Sequence, residues 1–177
     1  MSGHNKWSQI KRQKGAEDAK KGKLFGVLGK MITMESKKSK GDTNSPGLRV
    51  AIEKARKANM PNDNIDRAVK RGSGADAPTL EEFLIEGYGP GGVALLIEGV
   101  TDSRNRTVAE IKHILAAHGG SMATAGAASW AFQKSEEGWK ATSTVEVMDS
   151  DANQFSALIE ELENNEDVKA VATTATE

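Results

Sequence analysis

The chain of 177 residues contains no cysteine. Disulfides, thiolate zinc sites and cysteine nucleophiles are excluded at once. Aromatic residues make up only 5% and hydrophobic residues 37%, enough for a modest core and too little for a large one. No apolar run reaches the length of a membrane-crossing helix, and the N-terminus has no apolar leader segment. A soluble, unsecreted, cytoplasmic protein with no membrane partner is therefore expected. Histidine is scarce too. His113 and His118 fall five apart, off a common helical face, which argues against a metal pair. Neither a metal nor a cofactor is expected.

A net charge of −1 hides the shortage that matters most. Residues 73–177 hold only 6 Lys+Arg against 18 Asp+Glu, whereas residues 1–72 hold 18 against 7. Such segregation points to a polyanion-binding surface on the first half, with an acidic second half that repels the same polyanion. The competing reading is that the two halves attract each other. Two domains are expected, a basic helical one over 1–75 and an α+β one over 76–177.

Within the first half, Lys6, Lys11, Arg12, Lys14, Lys20, Lys21 and Lys23 cluster around Trp7 and Ile10. Leu24, Leu28 and Met31–Ile32 set a helical stripe from about residue 16 to 37. Ser45-Pro46 suits the start of a second helix carrying Leu48, Ile52 and Ala55. Pro61 opens a third with Ile65, Ala68 and Val69, closed by Gly72. The third helix adds Arg67, Lys70 and Arg71 to the cationic set, and His4 joins it as a candidate phosphate contact. The excess is of one sign, so it is not offset by acids one turn away as on an ordinary surface helix. Lys and Arg contacts to a phosphate backbone would be non-specific and strongly salt-dependent. No helix-turn-helix, zinc-finger or single-strand RNA signature accompanies them. Trp7 could stack on a base, but packing is the commoner role for such a residue.

The second half is organised around residues 86–120: a glycine-rich turn, an apolar strand over 93–100, a charged corner and a helix over 107–118 capped by Gly119 and Gly120. Arg104, Asn105 and Arg106 lie in or beside the first helical turn, where cations oppose the macrodipole. Local stability gains nothing from that placement, which hints at an anion nearby. The alternative is that the arginines are solvated or pair with Asp102 and Glu110. Further strands are expected over 83–88, 128–133, 142–148 and 168–173, with a helix carrying Phe155, Leu158, Ile159 and Leu162. From residue 93 onward the order is that of a ferredoxin-like βαββαβ sandwich. The 83–88 strand is then an extra one, unable to hairpin with the 93–100 strand unless it displaces the last. Residues 87–92 satisfy G-x-G-x-x-G by letter but precede a strand instead of opening a helix, so the dinucleotide reading is rejected. A triad of Ser103, Asp102 and His113 lacks a nucleophile elbow or oxyanion motif.

Three blocks carry a specific likeness. Gly3, His4, Lys6, Trp7 and Ile10 form the first, with Asp18, Lys20, Gly22, Lys23 and Phe25. Residues 58–65 with Lys70-Arg71-Gly72 form the second, and residues 86–92 with 101–107 the third. In these the chain resembles the YebC/PmpR family of bacterial probable transcriptional regulators and mitochondrial translational activators of cytochrome oxidase subunit one. The resemblance implies a regulator of gene expression, acting on duplex DNA or on ribosomal RNA, with the ribosome as a further candidate partner. It also implies a third small domain inserted between the two middle strands. Here residues 134–138 join those strands directly, so that domain is expected to be absent.

The leading expectation is thus a nucleic-acid-binding regulator, DNA-binding or ribosome-associated, and not an enzyme. A phosphate-ester hydrolase at the arginine corner would need a clustered acid, base or metal site. The scattered acids of the second half do not suggest one. A scaffold that binds an acidic protein is the third reading.

Overall fold

The structure is a computed structural model that describes residues 17–176, with side chains from residue 20 onward. It divides into two compact units, a helical one of residues 17–82 with 100–104 and a sheet-based one of residues 83–99 and 105 onward.

Three helices build the first unit: α1 (Glu17–Ser39), α2 (Pro46–Lys57) and α3 (Asn62–Ser73). Leu48, Ala51, Ile52 and Ala55 recur at helical spacing along α2 and are buried against Leu28 and Ile32 of α1 and Ile65 and Ala68 of α3. Pro46 starts α2 from an extended Ser45, because its fixed φ suits the first turn and its missing N–H costs nothing there. Asn59 then adopts a left-handed φ of 61°, and the Met60 amide closes the end of α2 onto the Ala55 carbonyl at 3.0 Å. α3 lies very close to α1. A Cβ on Gly72 would sit 2.3 Å from the Thr33 carbonyl oxygen, so only glycine fits. At that crossing the Thr33 and Ser36 hydroxyls donate to the carbonyls of Ala68 and Val69 at 3.2 and 2.6 Å.

The second unit carries β1 (Glu81–Tyr88), β2 (Ala94–Thr101), α4 (Arg104–Ala117), β3 (Ser121–Met122), β4 (Phe132–Ser135), β5 (Gly138–Ala141), α5 (Asp149–Asn164) and β6 (Val168–Thr173), β1 and β2 each extending into the first unit. The main sheet has the order β3-β1-β2-β6, and β4–β5 is a separate antiparallel hairpin. Period-two alternation sorts the side chains of β2 between two layers. Leu95 and Ile97 pack with Ile111 and Leu115 of α4 and Phe155, Leu158 and Leu162 of α5. Ala94 and Leu96 turn instead to Ala128, Ala131, Phe132 and Trp139 of the hairpin layer. Gly91 and Gly92, both near φ 76°, make the tight β1–β2 connection, which accounts for the glycine run without any nucleotide.

The expected α+β class, three helices followed by an antiparallel sheet, is the one observed. Inside it the strand pairing departs from the ferredoxin-like order. β1 lies on one side of β2 and β6 on the other, so the extra strand takes the position of a middle strand and displaces nothing at the far edge. Residues 129–131 form a 3-10 turn where strand was expected. Residues 142–148 contribute one bridge, Val145 to Ala175, and no strand of the sheet. β4 is already paired with β5 across the turn at residues 136–137, a hairpin that stands where the resemblance implies an inserted domain. Among the described residues, no helix is long and apolar enough to cross a membrane.

Candidate nucleic-acid interface

Two faces of the helical unit present the cations singled out in the sequence. The first turns of α1 carry Lys20, Lys21 and Lys23, and the second half of α3 carries Arg67, Lys70 and Arg71. Apolar residues of α3 at 65 and 68 face inward, which leaves 67, 70 and 71 exposed. Among the described residues, Lys21, Lys70 and Arg71 make no ion pair with any carboxylate. Arg67 donates to the Asp63 carbonyl at 3.2 Å and to the Asn64 side-chain oxygen, both neutral acceptors, so its charge is positioned and not cancelled. His4, Lys6, Lys11, Arg12 and Lys14 lie outside the described residues.

α1 and α3 enclose a groove of about 480 Å³. Phe25, Met60 and Ala68 give it an apolar floor, and Lys30, Arg67 and Arg71 its cationic rim, with no carboxylate in the lining. The groove of similar size between α2 and α3 differs in charge: Glu53 and Asp66 stand among Arg49, Arg56 and Lys70.

Arg104, Asn105 and Arg106 do form the first turn of α4, and an anion does sit beside that turn. It is internal. The Asp167 carboxylate accepts from the Arg106 guanidinium at 2.8 Å and from the Thr107 hydroxyl at 2.7 Å, and it is buried. Glu110 adds a longer contact to Arg106 at 3.7 Å, and Arg104 has an exposed contact to Glu81 at 3.7 Å. Of the partners the sequence offered Arg106, Glu110 is present, and a further one, Asp167, comes from 61 positions away. The carboxylate complements both the helix N-terminus and the guanidinium. Asp167 gives Arg106 a partner inside the chain that the macrodipole argument alone did not supply.

A second buried carboxylate was missed by sequence reasoning. Glu86 of β1 accepts the backbone N–H groups of Gly126, Ala128 and Ser129 at 2.7, 2.7 and 2.9 Å. Burial by itself would raise its pKa, but these three donors prevail and hold it below the ordinary value. Tyr88 supports the same loop through its hydroxyl, which donates to the Ala127 carbonyl at 2.7 Å. The only signal in the sequence was a lone glutamate in an otherwise apolar and glycine-rich strand end. Among the described residues, no group of three or more histidine, aspartate or glutamate side chains could hold a metal ion.

Residues 5–75 match the family profile described as the TACO1/YebC protein N-terminal domain, and residues 80–137 that of the TACO1/YebC second and third domain. A probable transcriptional regulatory protein of Halothermothrix orenii is 47% identical over 165 residues, covering 92% of this chain and 63% of its own length. One from Chloroherpeton thalassium is 54% identical over 136 residues, 76% of this chain and 54% of its own. A third, from Dictyoglomus turgidum, is 45% identical over 98% of this chain and 71% of its own length. The chain thus spans about half to two thirds of such relatives. The crystal structure of a conserved hypothetical protein from Aquifex aeolicus superposes with a TM-score of 0.79, at 30% identity and 96% coverage of both chains.

Proposed function

The chain belongs to the TACO1/YebC family, and on that premise we propose that it is a nucleic-acid-binding regulator of gene expression whose helical unit grips the phosphate backbone. Relatives named probable transcriptional regulatory proteins supply the regulatory half of this reading. The observation that carries the binding half is the cationic surface of α1 and α3, where Lys21, Lys70 and Arg71 have no carboxylate partner among the described residues. Unneutralised, one-signed charge is costly to hold together and becomes favourable when a polyanion releases its counterions onto it. Arg104 and Arg106, each about half exposed, would add a second contact from the start of α4, in competition with their own carboxylates. The reading is non-enzymatic and places the protein in the cytoplasm, with DNA as the first candidate target.

Crosslinking in the native cell, followed by sequencing of the nucleic acid recovered with the protein, tests this. Chromosomal fragments lost on Lys21→Glu/Lys70→Glu/Arg71→Glu substitution are expected. Recovery of protein partners alone, resistant to nuclease, would contradict it.

A further inference from the structure

Resting on the nucleic-acid reading, we infer that the α1–α3 groove holds an unpaired nucleotide stretch, so that single-stranded nucleic acid is a ligand of this unit. In a duplex the faces of the bases are stacked away inside the helix, so an apolar floor could reach base edges at most. An unpaired nucleotide brings both parts: a phosphate for Lys30, Arg67 and Arg71, and a base for the floor at Phe25 and Met60. Charge complementarity selects this groove over the α2–α3 one, whose lining includes Glu53 and Asp66. The Asn64 side chain, which accepts from Arg67, also lines the groove and holds that guanidinium at its rim.

Between Phe25, Lys30 and Thr33, part of the α1 wall of the groove is bare backbone. Gly26 and Gly29 line it, and a Cβ on Gly26 would meet nothing within 4 Å, while one on Gly29 would make only an ordinary contact with the Met60 methyl at 3.8 Å. Nothing inside the protein requires glycine at either position, although each weakens the helix relative to alanine. Their effect is to keep the groove deep enough for a strand to approach the α1 backbone.

The test measures fluorescence anisotropy of three probes of matched phosphate number: oligouridylate, oligothymidylate and a blunt DNA duplex. The proteins are the full chain, Gly26→Leu and Gly26→Ala. The leucine variant fills the groove without removing a charge. It is expected to lose about tenfold or more in affinity for both single strands while duplex affinity changes less than about twofold. Gly26→Ala should melt at or above the parent temperature, which separates groove filling from damage to the fold. Equal loss for duplex and single strand, or no loss for either, overturns the groove assignment while leaving the nucleic-acid reading intact. Competition by polyglutamate as strong as that by oligouridylate overturns it also, because the floor would then contribute nothing. Binding of none of the three probes by the parent chain would bring down the nucleic-acid reading and this assignment together.

Discussion

The two units differ in how some of their cations are used. In the sheet-based unit Arg106, Lys140 and Lys169 each have a carboxylate within 4 Å, namely Asp167, Glu137 and Glu98. Lys134 lies over the Trp139 ring at 5.6 Å. In the helical unit Lys38 pairs with Glu35, yet Lys21, Lys70 and Arg71 have no acidic partner among the described residues. Where acids are plentiful, a cation is absorbed into the structure. Where they are few, Lys21, Lys70 and Arg71 are left for something outside. The difference separates charge that holds a fold together from charge available for binding, and neither composition nor net charge reveals it.

The largest effects are expected from charge reversal in the helical unit and charge removal in the sheet-based one. Lys21→Glu/Lys70→Glu/Arg71→Glu should weaken nucleic-acid binding on the order of 100-fold or more at low salt, with little change in melting temperature. A melting temperature that falls in step with affinity would make those residues structural. The reciprocal change, Arg106→Ala, should cost about 1–3 kcal/mol in denaturant unfolding, because it leaves the buried Asp167 with one charged donor fewer. Binding should change much less than in the triple variant.

Glu86 sharpens the same contrast with an acid. Glu86→Gln should destabilise by about 1–3 kcal/mol, since a neutral amide accepts less strongly from the three N–H groups. The pH dependence follows from the lowered folded pKa. Its contribution is fully present above the ordinary carboxyl value of 4.5 and is lost as pH falls through the folded value. Acid unfolding of the parent should therefore be steeper below about pH 4.5 than that of the variant. Parallel curves would remove Glu86 from the account. The smallest effect belongs to Arg104→Ala. Its exposed pair with Glu81 at 3.7 Å is worth at most about 0.5 kcal/mol, so unfolding curves should nearly superimpose.

Local signals in the sequence were enough for the helical unit. Ser45-Pro46 marks the start of α2, Pro61 precedes α3, and the spacing of Leu48, Ile52 and Ala55 identifies the buried face of α2. β6 was also legible, with the bounds expected for it, 168–173. The middle of the second half was not, because side chains distant in sequence decide it. Two of the amides that would have laddered a strand at residues 128–133 are taken by the Glu86 carboxylate. Residues 142–148 have the right alternation, but β4 closes locally onto β5, with Gly138 at φ 117° just after the turn. Asp167 could not be assigned to the α4 corner from spacing at all. The arginine placement showed that an anion was wanted there without showing that the chain supplies its own.

The most direct measurement is affinity for a defined oligonucleotide across a salt series, for the parent and the Lys21→Glu/Lys70→Glu/Arg71→Glu variant. The account predicts that log affinity falls linearly with log salt for the parent, by about 0.7–0.9 per phosphate neutralised. The variant's slope should be shallower by about one for each phosphate it no longer neutralises. A parent slope near zero, or identical slopes for the two proteins, would contradict it.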